Sequence, residues 1–263
     1  MSDDLHNTGK IHLDTGKIDT GKIDTGHLNT DSMETGKIHL DAVPSDQTGQ
    51  INLADIRREY VKSGIRKTDM HVDPIVQFDH WMKDALASGN REPTAVALAT
   101  ATADGRPAVR MVLLKGFDAR GFRFFTDYES RKGQELSANP KASMCFFWPE
   151  LERQVRVEGV VERASRQESE QYFSSRPAGS QISAAASPQS RAVADREELE
   201  SRRREVENRF AGRPVELPDN WGGFWLWPDT IEFWQGRADR LHDRMRYRRP
   251  VGSDDWQLDR LAP

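Results

Sequence analysis

Strand-like segments that follow one another directly, without intervening helices, constrain the fold of this chain most. Short apolar runs lie within residues 95–126, and Asp104-Gly105 separates the first two with a hairpin-type turn signal. In residues 154–162, valines alternate with polar residues at the period of a half-buried strand. Adjacent strands joined by short turns pair antiparallel, whereas a doubly wound parallel sheet needs a helix between successive strands. We therefore predict an α+β fold that is mainly antiparallel β, a closed or split β-barrel with peripheral helices.

The other predicted elements follow from helical spacing, capping residues and apolar runs. Ser165 with Glu168, and Asp195 with Glu198, have the spacing of capping boxes. Helices are predicted at residues 74–88, 130–138, 165–173 and 195–210. Strands are predicted at residues 95–102, 108–115, 122–126, 142–148, 154–162, 223–227, 230–234, 241–248 and 256–260. No Gly-x-Gly-x-x-Gly motif follows a predicted strand, so a Rossmann dinucleotide site is not expected.

The first fifty residues differ in character from the rest. A Thr-Gly-(Lys/His/Gln)-(Ile/Leu) motif begins six times between Thr8 and Thr48, and residues 1–50 contain no aromatic residue. Such a segment cannot bury enough apolar surface to offset its ordering entropy. We expect a disordered tail at 1–50 and a globular domain at 51–263, with a small β-solenoid as the alternative for the repeats.

Charge and cysteine content bear on the functional class. The formal net charge is −4, and residues 1–50 carry four Lys and nine acidic residues, so the rest of the chain is close to neutral. A chain rich in Arg without a net positive charge argues against a nucleic-acid binder, but it suits local phosphate pockets. Cys145 is the single cysteine, lies in an apolar run and is predicted to be buried.

Targeting and metal signals are not expected either. No stretch approaches the ~20 apolar residues of a membrane span, and the N-terminus lacks the basic-then-apolar pattern of a signal peptide. Histidines in the tail are spread without metal-ligand spacing. We expect a cytoplasmic protein with no membrane, nucleic-acid or metal partner.

Two basic constellations point to bound anions. Arg110 and Lys115 stand at the two ends of an apolar strand, where the simplest interpretation is that both side chains reach solvent. Ser130-Arg131-Lys132 opens a predicted helix, and cations at that end oppose the helix dipole. A bound anion would supply the missing negative charge, so this sequence indicates a phosphate site.

Two further constellations combine cations with aromatic or hydroxyl groups. Arg240, His242 and Arg244, placed in a strand, would project from one face, close in sequence to a run of aromatic residues. Tyr172, Arg176 and Ser180 follow a predicted helix, as either a phosphate cradle or an ordinary helix end.

Read in order, these segments resemble the pyridoxamine 5′-phosphate oxidase family. The resemblance covers about four-fifths of the chain, from Arg57-Arg58-Glu59-Tyr60 to the terminal Asp259-Arg260-Leu261-Ala262-Pro263. Its most specific part is Glu232-Phe233-Trp234-Gln235-Gly236 followed by Arg240-Leu241-His242-Asp243-Arg244. The resemblance implies a homodimeric split barrel that binds FMN at the subunit interface.

The resemblance also implies which residues form the site. One subunit should line the flavin with Arg110, Met111, Val112, Leu113, Leu114, Lys115, Phe125, Thr126, Arg131 and Lys132. The other subunit should contribute Gln154, Gln189, Ser190, Trp234 and Arg244. The substrate should meet Lys115, Tyr172, Arg176 and Ser180 at its phosphate, and Arg240, Leu241 and His242 at its ring, with Arg240 and His242 as the catalytic pair. Arg57, Arg58, Glu59 and Tyr60 should form a mobile segment over the substrate.

The implied activity is oxidation of pyridoxamine or pyridoxine 5′-phosphate by dioxygen to pyridoxal 5′-phosphate. A flavin-binding module without oxidase activity, or a flavin reductase, is the alternative. Two positions depart from the family pattern: Ser183 stands where a Gly is expected, and Phe125 where Tyr is common.

Overall fold

The computed structural model describes residues 59–250, 253 and 255–263, all within a single compact unit. The predicted tail at 1–50 lies outside the described residues, as do Arg57 and Arg58 of the predicted mobile segment. None of the helices in the described ranges is long and apolar enough to cross a membrane.

Helices are placed by their capping residues. Ser165 forms a reciprocal capping box with Glu168, as predicted. Asp195 also caps its helix, but Glu198 accepts from the Ala194 N–H, so the predicted capping box at Asp195 is wrong. The described α-helices are α1 Pro74–Ala87, α2 Arg131–Ala138, α3 Arg166–Ser175, α4 Ala178–Ala186 and α5 Arg196–Phe210. Of these, α4 was not predicted.

The described strands form one nine-stranded sheet in which every pairing is antiparallel, which confirms the predicted fold class. The sheet order is β2-β1-β5-β6-β7-β4-β3, and β8 joins β7 to β9. The strands are β1 Ala95–Ala101, β2 Pro107–Leu113, β3 Gly116–Asp118, β4 Gly121–Asp127, β5 Lys141–Trp148, β6 Arg153–Arg163, β7 Trp221–Gln235, β8 Asp243–Arg248 and β9 Gln257–Leu261.

Helix α1 supplies much of the core. Pro74, Phe78, Trp81, Met82 and Ala85 form its buried stripe, at the spacing of one helix face. The ring of Phe78 is fully buried, and its centroid lies 4.8 to 5.1 Å from the rings of three phenylalanines, Phe117, Phe122 and Phe146. Burial of each such side chain contributes about 1.5–3 kcal/mol, so α1 and the sheet stabilise each other.

Strand β7 is continuous, whereas the sequence predicted two strands broken at Pro228-Asp229. Pro228 is tolerated because the register shifts there: Glu158 pairs with Thr230, but Gly159 pairs with Pro228. A Cβ on Gly159 would lie 1.9 Å from the Trp227 carbonyl oxygen, so only glycine fits opposite this irregularity.

Two other predictions are wrong. Arg240, Leu241 and His242 are not in a strand, because β8 begins at Asp243 and a 3₁₀ turn, Ala238–Arg240, precedes it. Asp239 and Arg240 have φ values of 55° and 61°, which break the extended backbone. Cys145, predicted to be buried, is only half-buried.

Candidate active site

A cleft of about 450 Å³ opens where β2, β4, α2 and α4 meet. Most of the residues predicted to contact the flavin or the substrate phosphate line this cleft. The first and the last of them are more than sixty positions apart in the chain. Its lining consists of Met111, Val112, Leu113, Lys115, Phe125, Thr126, Lys132, Tyr172, Arg176, Pro177, Ser180, Gln189 and Trp221.

The start of α2 is fixed by a buried serine. Ser130 Oγ accepts from the Gly133 N–H and donates to the Asp127 carbonyl oxygen at 2.6 Å. A side chain at Gly133 would clash with the Tyr128 backbone, so the chain enters the helix tightly. This geometry directs Lys132 into the cleft at the end of β4.

Lys132 is held by neutral groups. Its Nζ donates to Thr126 Oγ1 at 3.0 Å and to Gln189 Oε1 at 2.6 Å. Burial lowers the pKa of Lys132 and the nearby charge of Arg110 lowers it further, against a smaller opposing effect of the Asp127 carboxylate. A partly buried ammonium with neutral acceptors and a cationic neighbour is stabilised by a bound anion.

Stacked aromatic rings form one wall of the cleft. The Phe125 centroid lies 4.0 Å from that of Tyr172 and 5.6 Å from that of Trp221, and all three rings are nearly parallel. The Arg176 guanidinium lies 4.8 Å from the Trp221 centroid. Because the wall stacks through ring faces, the Tyr hydroxyl that Phe125 lacks is not needed for it.

Arg176 carries the clearest sign of a missing ligand. Its Nη1 atom is buried and has no hydrogen-bond partner among the described residues. Burial lowers the pKa of Arg176, because the charged form is poorly solvated there. Native proteins rarely leave a buried guanidinium nitrogen unpaired, and an anion bound in this cleft would supply the missing acceptor.

A second cluster forms at the other end of β7. The Trp234 centroid lies 4.7 Å from His242 and 5.6 Å from Tyr60. Gln154 pairs with Trp234 across the sheet, and Arg244 pairs with it on the other side. Arg244 donates to both oxygens of the buried Glu232, at 2.8 and 3.0 Å.

The second cluster has a neutral histidine at its centre. Nδ1 of His242 accepts from the Arg237 N–H at 3.1 Å, which places the ring proton on Nε2. Burial lowers the pKa of His242, and the charge of Arg240 lowers it further. His242 therefore keeps a neutral ring with Nε2–H available as a donor.

The segment that enters this cluster is pinned by two carboxylates. The Val61 and Lys62 N–H groups donate to Glu152 Oε2, both at 3.0 Å, and the Ile65 N–H donates to Asp243 Oδ2 at 3.0 Å. Tyr60 thereby lies against His242, at 5.4 Å between ring centroids. Glu59 is exposed beside it.

The two clusters cannot share one small ligand within a chain. Trp221 opens β7 and Trp234 lies thirteen positions later in the same strand. At about 3.3 Å per residue, the strand separates them by roughly 40 Å of length. A site that uses both clusters must therefore take one from each of two chains.

The surroundings of four more predicted site residues are defined within the single chain. Gln189 was assigned to the partner subunit, but its side chain contacts Thr126 and Lys132 of the same chain. Ser190 follows it with a φ of 70°. The Leu114 side chain belongs to the core rather than the cleft, and Leu241 is exposed.

Two of the predicted flavin-binding arginines lie next to the cleft rather than in its lining. Arg110 and Arg131 both donate to Glu135. Glu135 and Trp221 were missed as site residues. The i,i+4 spacing of Arg131 and Glu135 on α2 was the available signal for the first. Trp221 belongs to the run of aromatic residues that precedes Arg240, and nothing in the local sequence marks it as a cleft residue.

The donor set fits FMN. The cleft joins cations suited to a phosphate, Lys132 with Arg110 and Arg131 behind it, to apolar β2 side chains and stacked rings suited to a flat aromatic ring system. The buried unpaired nitrogen of Arg176 leaves room for a second anion.

Comparison with known proteins identifies the family. The family described as Pyridoxamine 5′-phosphate oxidase matches residues 82–210, and the Pyridoxine 5′-phosphate oxidase C-terminal dimerisation region matches residues 221–263. The chain belongs to the pyridoxamine 5′-phosphate oxidase family. A Pyridoxine/pyridoxamine 5′-phosphate oxidase of Rubrobacter xylanophilus is 53% identical over 212 residues, 81% of this chain and 97% of that protein. The Pseudomonas paraeruginosa protein of the same name is 52% identical over 81% of this chain and 99% of its own.

Solved structures agree with the fold. PhzG from Burkholderia lata 383, in complex with tetrahydrophenazine-1-carboxylic acid, matches with a TM-score of 0.71 and 34% identity over 74% of this chain and 95% of its own. An FMN-binding, pyridoxamine 5′-phosphate oxidase-related protein of Nostoc punctiforme matches with a TM-score of 0.59 and 20% identity over 74% of this chain and 100% of its own. The fold is the FMN-binding split barrel of this family.

Membership of this family identifies the class of enzyme and its cofactor. This pyridoxamine 5′-phosphate oxidase family member is an oxidoreductase with FMN as its cofactor. Its dimerisation region supports a homodimer. The exposed apolar side chains of Val109, Met111 and Phe147 provide surface of the kind that subunit contacts cover.

Proposed function

We propose that this protein oxidises pyridoxamine 5′-phosphate or pyridoxine 5′-phosphate to pyridoxal 5′-phosphate, with dioxygen as the final acceptor. Two electrons leave the C4′ carbon, and dioxygen becomes hydrogen peroxide. With the amine, water hydrolyses the imine and ammonia leaves. FMN, when bound, supplies the two-electron acceptor between substrate and dioxygen.

One observation carries the choice of a phosphorylated substrate. Arg176 presents a buried, unpaired nitrogen in the same cleft as Lys115, Tyr172 and Ser180. The planar guanidinium and the flanking ammonium and hydroxyl groups match the oxygens of a phosphate. This anchor is remote from the reacting carbon, so its binding energy orients the substrate without taking part in the chemistry.

The ring-binding groups come from the second cluster of a partner subunit in this proposal. Arg240 and His242 then lie over the pyridine ring, where the neutral Nε2–H of His242 donates to a ring substituent. Tyr60 closes the same side and limits access of water. Arg240 is exposed in a single chain, which suits a group that meets its ligand across the interface.

A phosphate-independent flavoenzyme is the competing function. The ligand in the PhzG structure carries a carboxylic acid and no phosphate. A flavin reductase would likewise have no use for Arg176 together with Arg240 and His242. The joint presence of both sets in this chain favours the vitamer oxidase.

Anaerobic flavin spectroscopy tests the proposal. We expect the visible flavin bands to bleach when pyridoxamine 5′-phosphate is added without oxygen, and to return with air. Unphosphorylated pyridoxamine, NADH and tetrahydrophenazine-1-carboxylic acid should bleach the bands far more slowly at equal concentration. Bleaching by NADH alone would establish a flavin reductase instead, and equal rates with and without the substrate phosphate would contradict the role of Arg176.

A matched pair of variants completes the design. Arg176→Met should raise KM for the phosphorylated substrate strongly and leave FMN content unchanged. Arg166→Met removes a guanidinium from the same region, where Arg166 pairs with Glu170 and Asp219 on the surface. This control should keep the KM of the unaltered enzyme.

A further inference from the structure

A buried carboxylate lies behind the cationic end of the cleft. Glu135, in α2, is 5% exposed. Its Oε2 accepts from Arg110 Nη2 at 3.0 Å, and its Oε1 accepts from Arg131 Nε at 2.8 Å. Thr100 Oγ1 also donates to Oε2 at 2.5 Å, so both carboxylate oxygens are engaged.

The two arginines are bound differently, and Arg131 is the one that keeps free terminal donors. Arg131 engages Glu135 through Nε, and its terminal nitrogens donate no hydrogen bond within the described part of the chain, while the side chain is 58% exposed. Arg110 uses Nη1 for Thr100 and the Leu98 carbonyl and Nη2 for Glu135. Glu135 therefore holds both guanidinium groups from the protein interior, while the terminal nitrogens of Arg131 face solvent.

The local charge suits a phosphate. The three cations Arg110, Arg131 and Lys132 lie near two carboxylates, Glu135 and Asp127, so the cluster keeps a net positive charge that attracts an anion. Burial alone would raise the pKa of Glu135, but the hydrogen bonds from Thr100, Arg131 and Arg110 outweigh it and lower the pKa. Glu135 is thus a carboxylate at neutral pH, and without it Arg110 and Arg131 would lose the carboxylate that they share.

We propose that Glu135 is a positioning residue that fixes Arg110 and Arg131 for the FMN phosphate, and that it thereby sets the preference for FMN over riboflavin. The inference rests on the proposed placement of that phosphate beside Arg131 and Lys132. Glu135 touches neither the flavin nor the substrate in this arrangement; it acts through the two guanidiniums.

A purely structural ion pair would behave differently. If Glu135 only stabilised the fold, its replacement would lower the melting temperature and weaken FMN and riboflavin binding to the same extent. A positioning role affects the ligand that carries the phosphate and spares the one that lacks it. The ratio of the two dissociation constants therefore separates the roles.

The experiment measures FMN and riboflavin binding to the apoprotein by quenching of flavin fluorescence. For Glu135→Gln we expect the FMN dissociation constant to rise at least about ten-fold, the effect of losing one charge-assisted hydrogen bond. The riboflavin constant should change less than about two-fold, within the spread of a substitution remote from the ligand. Glu135→Asp keeps the charge but shortens the side chain, so it should lower the preference for FMN over riboflavin to an intermediate value. This second variant keeps the test decisive if Glu135→Gln fails to fold.

Glu129→Gln is the matched control. Glu129 precedes α2, is exposed and pairs with Arg191, so this variant removes one negative charge near the helix without touching Arg110 or Arg131. It should retain the preference of the unaltered protein for FMN. Removal of a negative charge by itself favours phosphate binding, so an equal loss of preference in Glu129→Gln would show that the loss does not depend on contact with Arg110 or Arg131 and would overturn the positioning role.

The outcomes separate the two proposals. If the unaltered protein binds FMN and riboflavin equally, the phosphate placement is wrong and Glu135 loses its role with it. If the unaltered protein prefers FMN and both Glu135 variants keep that preference, only the Glu135 inference is overturned. Activity of the loaded enzyme is not needed for either result.

Discussion

Replacement of Arg176 by Met should stabilise the ligand-free protein while abolishing its response to phosphate. The Arg176 guanidinium has a buried nitrogen without a partner among the described residues. Leaving such a donor unsatisfied costs about 1–3 kcal/mol, and the variant removes that cost. Arg→Met therefore reverses the usual effect of deleting a buried cation.

The opposing losses are smaller. The contact of Arg176 with Trp221, at 4.8 Å, contributes about 0.5–1 kcal/mol as a cation–π interaction. Methionine keeps most of the side-chain packing and regains about 0.3–1.5 kcal/mol through sulfur–aromatic contacts with the same ring. The net change should be a gain of about 1–2 kcal/mol. For a chain of this size that corresponds to a rise of roughly 2–8 °C in melting temperature.

Calorimetry in a phosphate-free buffer measures both effects. The melting temperature of Arg176→Met should lie above that of the unaltered protein when both carry FMN and no substrate. Addition of pyridoxal 5′-phosphate should raise the melting temperature of the unaltered protein and leave that of the variant in place. A variant less stable by more than about 1 kcal/mol, the upper value of an exposed ion pair, would show that Arg176 has a partner and would refute the reasoning.

Three further predictions follow from single contacts. Gly133→Ala places a Cβ 2.3 Å from the Tyr128 carbonyl oxygen. This overpacking should lower the free energy of unfolding, measured in urea, by about 1–3 kcal/mol and should reduce FMN content. An unchanged urea midpoint would contradict the prediction. In Glu168, burial opposes ionisation, but hydrogen bonds from Ser165, Arg120 and Trp225 lower the pKa from 4.5 to about 2. The folded carboxylate therefore adds stability above about pH 4.5 that is lost as the pH falls toward about 2. Glu168→Gln should be less stable by about 2 kcal/mol at neutral pH, with the difference from the unaltered protein shrinking on acidification. Arg240→Ala should reduce turnover much more than it reduces FMN content. It should also raise the pKa of His242, because the charge of Arg240 is one of the two causes that lower that pKa. An unchanged His242 titration, followed by NMR, would rule out this coupling.

The sheet could be predicted from the sequence because its evidence is local. The Asp104-Gly105 turn, with Gly105 at a φ of 87°, and the alternating valines of β6 both mark strands without knowledge of distant partners. Helices α1 and α3 carry their own caps, Asp73 and Ser165. Such signals depend on backbone preferences and short-range hydrogen bonds, which are written in consecutive residues.

The errors arose where distant partners decide the structure. The Pro228-Asp229 pair has the composition of a turn, but Gly159 on the neighbouring strand allows β7 to run through it. Arg240 and His242 alternate as strand residues would, yet the positive φ values at Asp239 and Arg240 cannot be inferred from side-chain pattern. Helix α4, rich in Ala and Ser, lacks the apolar spacing that marks a helix and has no buried residue.

The candidate site could likewise be predicted only where its evidence lies in consecutive residues. The cationic motif at Ser130-Arg131-Lys132 indicated an anion from sequence alone, because charge at a helix start is a local matter. The clamp between Glu135 and Arg110 could not be predicted, since it joins α2 to β2 across twenty-five positions of sequence. Nor could the own-chain contact of Gln189 with Lys132, which depends on the path between α4 and α5.

Strand β7 carries Trp221 near one cluster and Trp234 near the other, so each chain of a dimer would own one half of two different catalytic chambers. A defect at the Arg176 end of one chain and a defect at the Arg240 end of its partner then fall in the same chamber, and the other chamber has neither. When an Arg176 variant and an Arg240 variant, each inactive alone, are co-expressed, the mixed dimers have one intact chamber and one chamber that carries both defects. Random pairing in a two-fold assembly would restore about a quarter of full turnover, a form of complementation closed to enzymes whose chambers are built from one polypeptide.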